Sequence, residues 1–142
     1  MKLFLDANIL FTAAYSEQGI SRTLFRLAGA GRCSLITSAY AADEARRNLA
    51  VKAPTVLPEF GNLLEAADIV REPAPAVVAR MKQLPLTEKD APIMAAAVES
   101  GADILVTGDR RDFGHLFGLE VEGVLVLNPA DTLDRVMSEV KR

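Results

Sequence analysis

The chain has 142 residues, 50% of them hydrophobic and 25% charged, with a formal net charge of -3 and a mean hydropathy of +0.18. That length and apolar content suit one domain over residues 1–142 with a single core, and no apolar run reaches the roughly 18 residues that would span a bilayer. Cys33 and His115 are the only residues of their kinds, which excludes an intramolecular disulfide, a Cys/His zinc site and a paired-histidine mechanism, so any metal here is held by oxygen.

The N-terminal Met-Lys-Leu-Phe-Leu-Asp meets a charge too soon for a signal peptide, so a cytoplasmic protein is expected. A pI near 5.2 argues against a broad basic face that binds nucleic acid indiscriminately. Local Arg and Lys clusters can still track phosphates.

Leu3-Phe4-Leu5 is a continuous apolar run, as in a strand buried on both faces, and Asp6 stands where that strand leaves the core. A helical stretch follows from about Ile9 to Tyr15, then a loop over Ser16 to Gly19, then Ser21 as the expected cap of a helix from Thr23 to Ala30, ended by Gly29 and Gly31. Ser34 to Thr37 reads as the second strand. Ser38 caps an alanine-rich helix from Ala39 to about Val51, and Pro54 closes that segment.

Thr55 to Ala67 reads as a helix interrupted near Pro58 and Gly61, and Ile69-Val70 as a brief third strand. Pro75 starts a helix over Ala76 to Gln83, Leu84-Pro85-Leu86 connects, and Thr87 begins a helix to Ser100 with Gly101 at its end. Ile104 to Val106 is the fourth strand, Arg110 to Phe117 a loop with one helical turn, and Val124 to Leu127 the fifth strand. Asn128-Pro129 starts the last helix, through Val140. Strands alternating with helices of this length imply right-handed crossovers and a mostly parallel sheet covered on both faces, a three-layer α/β/α domain.

Each acid on these elements has an ordinary explanation when taken alone. Asp6 or Asn8 suits a helix N-cap. Glu44, at the edge of the stripe formed by Tyr40, Ala41, Ala45 and Leu49, suits solvent, and its neighbour Asp43 competes with it for the inward position. Asp90, following Thr87 by three residues, resembles a capping box, and Gly108-Asp109 is turn chemistry. Turn chemistry does not explain why the first and fourth strands both end in Asp after apolar residues.

If those strands are neighbours, the winding reverses between them and a crevice opens above their carboxyl ends. Asp6 and Asp109 then line one crevice, which Asp90 and Glu44 can reach. Carboxylates crowded there repel one another unless a divalent cation lies between them, and oxygen-only ligation suits Mg²⁺ or Mn²⁺. Such a site without a Walker-type loop points to phosphodiester cleavage by metal-activated water, with Thr107 or Asn8 as hydrogen-bonding partners that position it.

Phe4-Leu5-Asp6-Ala7-Asn8-Ile9-Leu10, Glu44 in the next acidic helix, Asp90 at the head of an alanine-rich helix, and Leu105-Val106-Thr107-Gly108-Asp109-Arg110-Arg111-Asp112-Phe113 together resemble the PIN-domain family. The resemblance spans essentially the whole chain, and although each motif is short, their order and spacing are specific. It implies a five-stranded parallel sheet in the order 3-2-1-4-5 and an Mg²⁺- or Mn²⁺-dependent ribonuclease, often the toxin of a VapC-type toxin-antitoxin pair. RNA would be the substrate and an antitoxin protein the partner. Carried over position by position, Asp6, Glu44, Asp90 and Asp109 match the family's acidic quartet, with Asp6, Asp90 and Asp109 as metal ligands, and Asp112 falls where a further acid is frequent.

Two other α/β families fit less well. A haloacid-dehalogenase-like phosphatase needs a second acid where Asn8 stands, and a response-regulator receiver needs a lysine where Asn128 stands. The rival of a different class is a PIN-like module that binds RNA or protein without catalysis. Among the basic residues, Arg110 and Arg111 have the best claim to RNA because Asp109 anchors their loop, whereas Arg46, Arg47, Arg80 and Lys82 read mostly as a solvated face. The apolar content of 55–67 and 76–83 exceeds what one sheet face needs, so a homodimer is expected.

Overall fold

A computed structural model describes residues 1–140. Its elements run β1 (Lys2–Leu5), α1 (Ala7–Tyr15), α2 (Ile20–Gly29), β2 (Ser34–Ser38), α3 (Ala39–Lys52), a 3₁₀ turn at Pro54–Val56, α4 (Leu57–Leu64) and β3 (Ala67–Val70). They continue with α5 (Pro75–Met81), α6 (Ala91–Glu99), β4 (Ile104–Val106), α7 (Arg110–Phe113), a 3₁₀ turn at Gly114–Leu116, β5 (Glu120–Val121), β6 (Val124–Leu127) and α8 (Pro129–Val140).

The sheet order is β3-β2-β1-β4-β6-β5. β1 pairs in parallel with β2 on one side and β4 on the other, β2 with β3, and β4 with β6. With Val124–Leu127 counted as the fifth strand, this is the expected order 3-2-1-4-5. The expected count of five is corrected to six: β5 adds an antiparallel edge strand, joined to β6 by a hairpin. The hairpin turns on Glu122 and Gly123, whose φ angles are 49° and 89°, the two positive values that a tight primed turn demands.

The central strands read as apolar runs because both of their faces are covered. Leu3, Phe4, Leu5, Leu105 and Val106 have no exposed surface. The helix over this centre, α6, is apolar nearly all round, and small side chains let it sit close to the sheet: Ala91, Ile93, Met94, Ala95, Ala96 and Ala97 are all buried. α6 packs on α5, β2 and β4, while α1 packs on α2, α3 and α4, and α8 on α2 and β4. At the end of α6 the chain reverses at Gly101 (φ 71°), where the amides of Gly101 and Ala102 donate to the carbonyls of Val98 and Ala97.

Several boundaries differ from the sequence expectation. α1 starts at Ala7 because Asp6 itself is the N-cap. α2 starts after Gly19, and Ser21 lies inside it, its hydroxyl 2.7 Å from that of Thr12. Pro58 opens α4 and does not break it. The residues from Thr87 form a turn, and regular helix begins only at Ala91, with Asp90 as its N-cap.

Candidate metal centre

β1 and β4 are neighbours, and the chain winds away from them in opposite directions, so their carboxyl ends open onto a crevice. Asp6 leaves β1 there, bound through its amide to the Val106 carbonyl at 3.1 Å. The Asp6 side chain is 4% exposed. Its Oδ1 accepts from the Ala7 amide at 2.7 Å, and its Oδ2 accepts from the Thr107 hydroxyl at 2.8 Å and the Asn8 amide at 3.0 Å. Of the four or so lone-pair directions of a carboxylate, one on Oδ1 stays free. Burial pushes the Asp6 carboxyl up to about 6 despite these donors, and the nearby Glu44 adds to the rise.

Asn8 and Thr107 tie the two strand ends together. The Gly108 amide donates to Asn8 Oδ1 at 2.8 Å, and the Asp109 amide donates to Thr107 Oγ1 at 3.1 Å. The loop that carries Asp109 is thus pinned to the same two side chains that hold Asp6. Asp109 caps α7, accepting from the Asp112 amide at 3.0 Å, and this turns the Asp112 side chain back toward Asp90. One carboxylate oxygen from each of Asp90, Asp109 and Asp112 lies within 4.8 Å of the others, and Asp6 stands outside that trio.

Asp90 is 4% exposed and makes no side-chain capping bond to its helix. Instead the Thr87 hydroxyl donates to Asp90 Oδ2 at 2.8 Å. Burial, followed by the contact with Asp112, pushes the Asp90 carboxyl up to about 7. Glu44 faces the crevice and meets Lys89 at 3.0 Å, while Asp43 points to the surface and pairs with Arg46 at 2.8 Å. The choice between those two adjacent acids is thereby made by α3. Lys89 is held protonated first by its hydrogen bond to Glu44.

Asp6, Asn8, Glu44, Asp90, Asp109 and Arg110 line one cleft of about 730 Å³. Thr107 and Asp112 stand behind this lining, and Arg111 is exposed on α7 without reaching it. Arg46 and Arg80 are engaged elsewhere, with Asp43 and Glu122. Lys89, Asn48 and Lys52 also line the cleft and went unnoticed in the sequence. The signal for two of them was present: Asn48 and Lys52 follow Glu44 at intervals of one helical turn. For Lys89 the sequence offers only adjacency to Asp90.

The donor set is oxygen throughout, and two of its carboxyls, Asp6 and Asp90, are held back from ionising by burial and by neighbouring acids, Glu44 for the first and chiefly Asp112 for the second. These residues fit a hard divalent cation, which would relieve both effects.

A family model for the PIN domain matches residues 2–111. A sequence search of curated proteins finds no match. Among solved structures, a chain of VapBC2 from Rickettsia felis bound to a DNA fragment from their promoter superposes with a TM-score of 0.68 at 18% identity, covering 90% of this chain and 98% of that one. PAE2754 from Pyrobaculum aerophilum gives 0.67 at 21% identity over 97% and 99% of the two chains. A chain of FitAcB from Neisseria gonorrhoeae gives 0.65 at 19% over 90% and 98%. The fold is common to all of them, and the matched model spans most of the sequence and both acid-bearing strand ends: the chain belongs to the PIN domain family.

Proposed function

We propose that the chain is an Mg²⁺- or Mn²⁺-dependent endoribonuclease that hydrolyses phosphodiester bonds of single-stranded RNA, and that it is the toxin of a toxin-antitoxin pair acting in the cytoplasm. The observation that carries this reading is the convergence of Asp6, Glu44, Asp90 and Asp109, from four separate elements, on one cleft. Asp6, Asp90 and Asp109 would hold the cation, with Asp112 beside them. A bound divalent ion supplies a water of lowered pKa and a positive charge against the leaving oxygen. Thr107 and Asn8 hold Asp6 and the Asp109 loop in register. Arg110, which shares the cleft lining with the carboxylates, would hold a substrate phosphate, and Lys89, paired with Glu44, adds positive charge to the same lining.

The partner assignment is supported by the company of the similar structures, VapBC2 and FitAcB, together with the resemblance to VapC-type toxins. Association as a homodimer is supported by Leu57, Leu63, Leu64, Val77 and Val78, which the core covers only in part. Light scattering is expected to show a dimer, and a monomer at high micromolar concentration would exclude it.

The direct test is incubation of the purified chain with labelled single-stranded RNA. Cleavage is expected with Mg²⁺ or Mn²⁺ and not with EDTA. Stable binding of the same RNA, with no cleavage under any metal condition, would establish the non-catalytic module instead.

A further inference from the structure

The cleft continues past the carboxylates, and its chemistry changes along the way. Glu44, Asn48 and Lys52 stand one turn apart on α3 and all line it, opposite Phe11 and Thr12 of α1. The span from the first to the last is about 12 Å, the length of about three stacked nucleotides. Over that distance the wall passes from carboxylate through carboxamide to ammonium. Among the described residues Lys52 forms no ion pair; its Nζ lies 5.6 Å from the centre of the Phe11 ring. Phe11 in turn stacks on Tyr15, with ring centres 5.5 Å apart and planes inclined by 19°. Tyr15 is 60% exposed and stands outside the cleft lining, so the stack carries aromatic surface from Phe11 in the wall to the exterior beside the cleft.

We propose that Phe11, Tyr15 and Lys52 form a subsite that stacks a base and holds a phosphate of single-stranded RNA, about two or three nucleotides from the bond that is cut. This rests on the nuclease reading above. A site lined by carboxylates repels the polyanion it must bind, so affinity has to come from cations and apolar faces further along the strand. Every base offers a flat face to an aromatic ring, and an ammonium against the same ring answers the adjoining phosphate. A duplex buries its bases in the stack, so a site of this kind selects unpaired strand and tolerates different sequences.

The test compares the wild type with Tyr15→Ala and Lys52→Gln, both exposed positions whose variants should keep the wild-type circular dichroism and melting temperature. Binding of a labelled six-nucleotide RNA is measured by anisotropy with Mg²⁺ in an Asp109→Asn background, and cleavage in the otherwise native chain. Tyr15→Ala is expected to weaken binding by about 10-fold. An abasic substitution at one position should weaken binding to the parent by a similar factor and add nothing to the Tyr15→Ala loss. Lys52→Gln should lower the slope of log K against log salt by about 0.7, one phosphate contact on a single strand. In the native background both variants should raise KM with kcat little changed.

Metal-dependent cleavage by the wild type with unaltered binding, slope and KM in both variants would overturn the subsite and leave the nuclease reading standing. Neither binding nor cleavage by the wild type would overturn both. Loss of a co-purifying protein from Tyr15→Ala, with RNA affinity unchanged, would assign this surface to a protein and overturn the proposal.

Discussion

Asp6→Asn and Asp109→Asn are each expected to slow metal-dependent cleavage of single-stranded RNA by roughly 100-fold or more, as removal of a metal ligand or its close partner does. Both variants should fold. Asparagine at 6 keeps an oxygen for the Ala7 amide, now 2.7 Å from Asp6 Oδ1, and brings its NH₂ group against the donors of Asn8 and Thr107. The cost of that mismatch is offset because a buried carboxylate is replaced by a neutral group. At 109 the capping acceptor for the Asp112 amide survives as the asparagine carbonyl. The check is the cleavage rate of each purified variant alongside its far-ultraviolet circular dichroism. A wild-type-like rate in either would take that residue out of the active site.

The parts of the fold that sequence made legible are those where one physical signal dominates. Leu3-Phe4-Leu5 and Ile104-Leu105-Val106 can be apolar without interruption only if both faces are covered, and they occupy the centre of the sheet. Ser38 and Gly101 punctuate their helices as capping chemistry requires. The edge strand β5 was invisible because it is two residues long and its turn uses Glu122 at positive φ, where asparagine or aspartate would have been the recognisable signal. A bidentate pair with Arg80, at 2.9 and 2.8 Å, accompanies glutamate in that position. Thr87 was legible in part: its hydroxyl accepts from the Asp90 amide at 3.2 Å, as a capping box requires, but it also donates to the Asp90 side chain, and the residues between them form a turn ahead of the helix.

At the candidate site the order of acids along the chain was readable, but their mutual distances were not. That Asp112 joins Asp90 and Asp109 follows from a capping bond between its own amide and Asp109, which turns the chain by one helical step. Nothing in residue spacing alone distinguishes that from an outward-facing acid. Phe11 and Lys52 lie far apart in sequence and meet only because α1 packs across α3.

Asp90→Asn is expected to raise the melting temperature of the metal-free protein at pH 8 and to lower it relative to wild type once Mn²⁺ is present. The Asp90 carboxyl is pushed from 3.8 up to about 7 in the folded chain, first by burial and then by Asp112. Below 3.8 both states hold the proton and nothing is lost. Between the two values the unfolded chain releases a proton that the folded chain keeps, so stability falls as pH rises, by up to about 1.4 kcal/mol per pH unit. Above 7 the cost is complete. The neutral variant escapes it, and its advantage should grow from nothing near pH 4 to on the order of 2 kcal/mol at pH 8. Asparagine retains an acceptor for the Thr87 hydroxyl, and losing a negative charge at the start of α6 costs only about 0.3–1 kcal/mol. Each kcal/mol moves the midpoint by about 2–4 °C in a protein of this size. A metal that binds only the folded wild type adds about 2.7 kcal/mol at 100 times its dissociation constant, and a variant lacking a ligand forgoes most of it. If Asp90 served α6 alone, the variant would be less stable by the same small amount in EDTA and in millimolar Mn²⁺, at every pH above 5, and the wild type would show no shift on adding metal. Melting both proteins across pH 4 to 8, with and without Mn²⁺, separates the two, because only a crowded, cation-binding carboxylate makes the sign of the mutation depend on the metal.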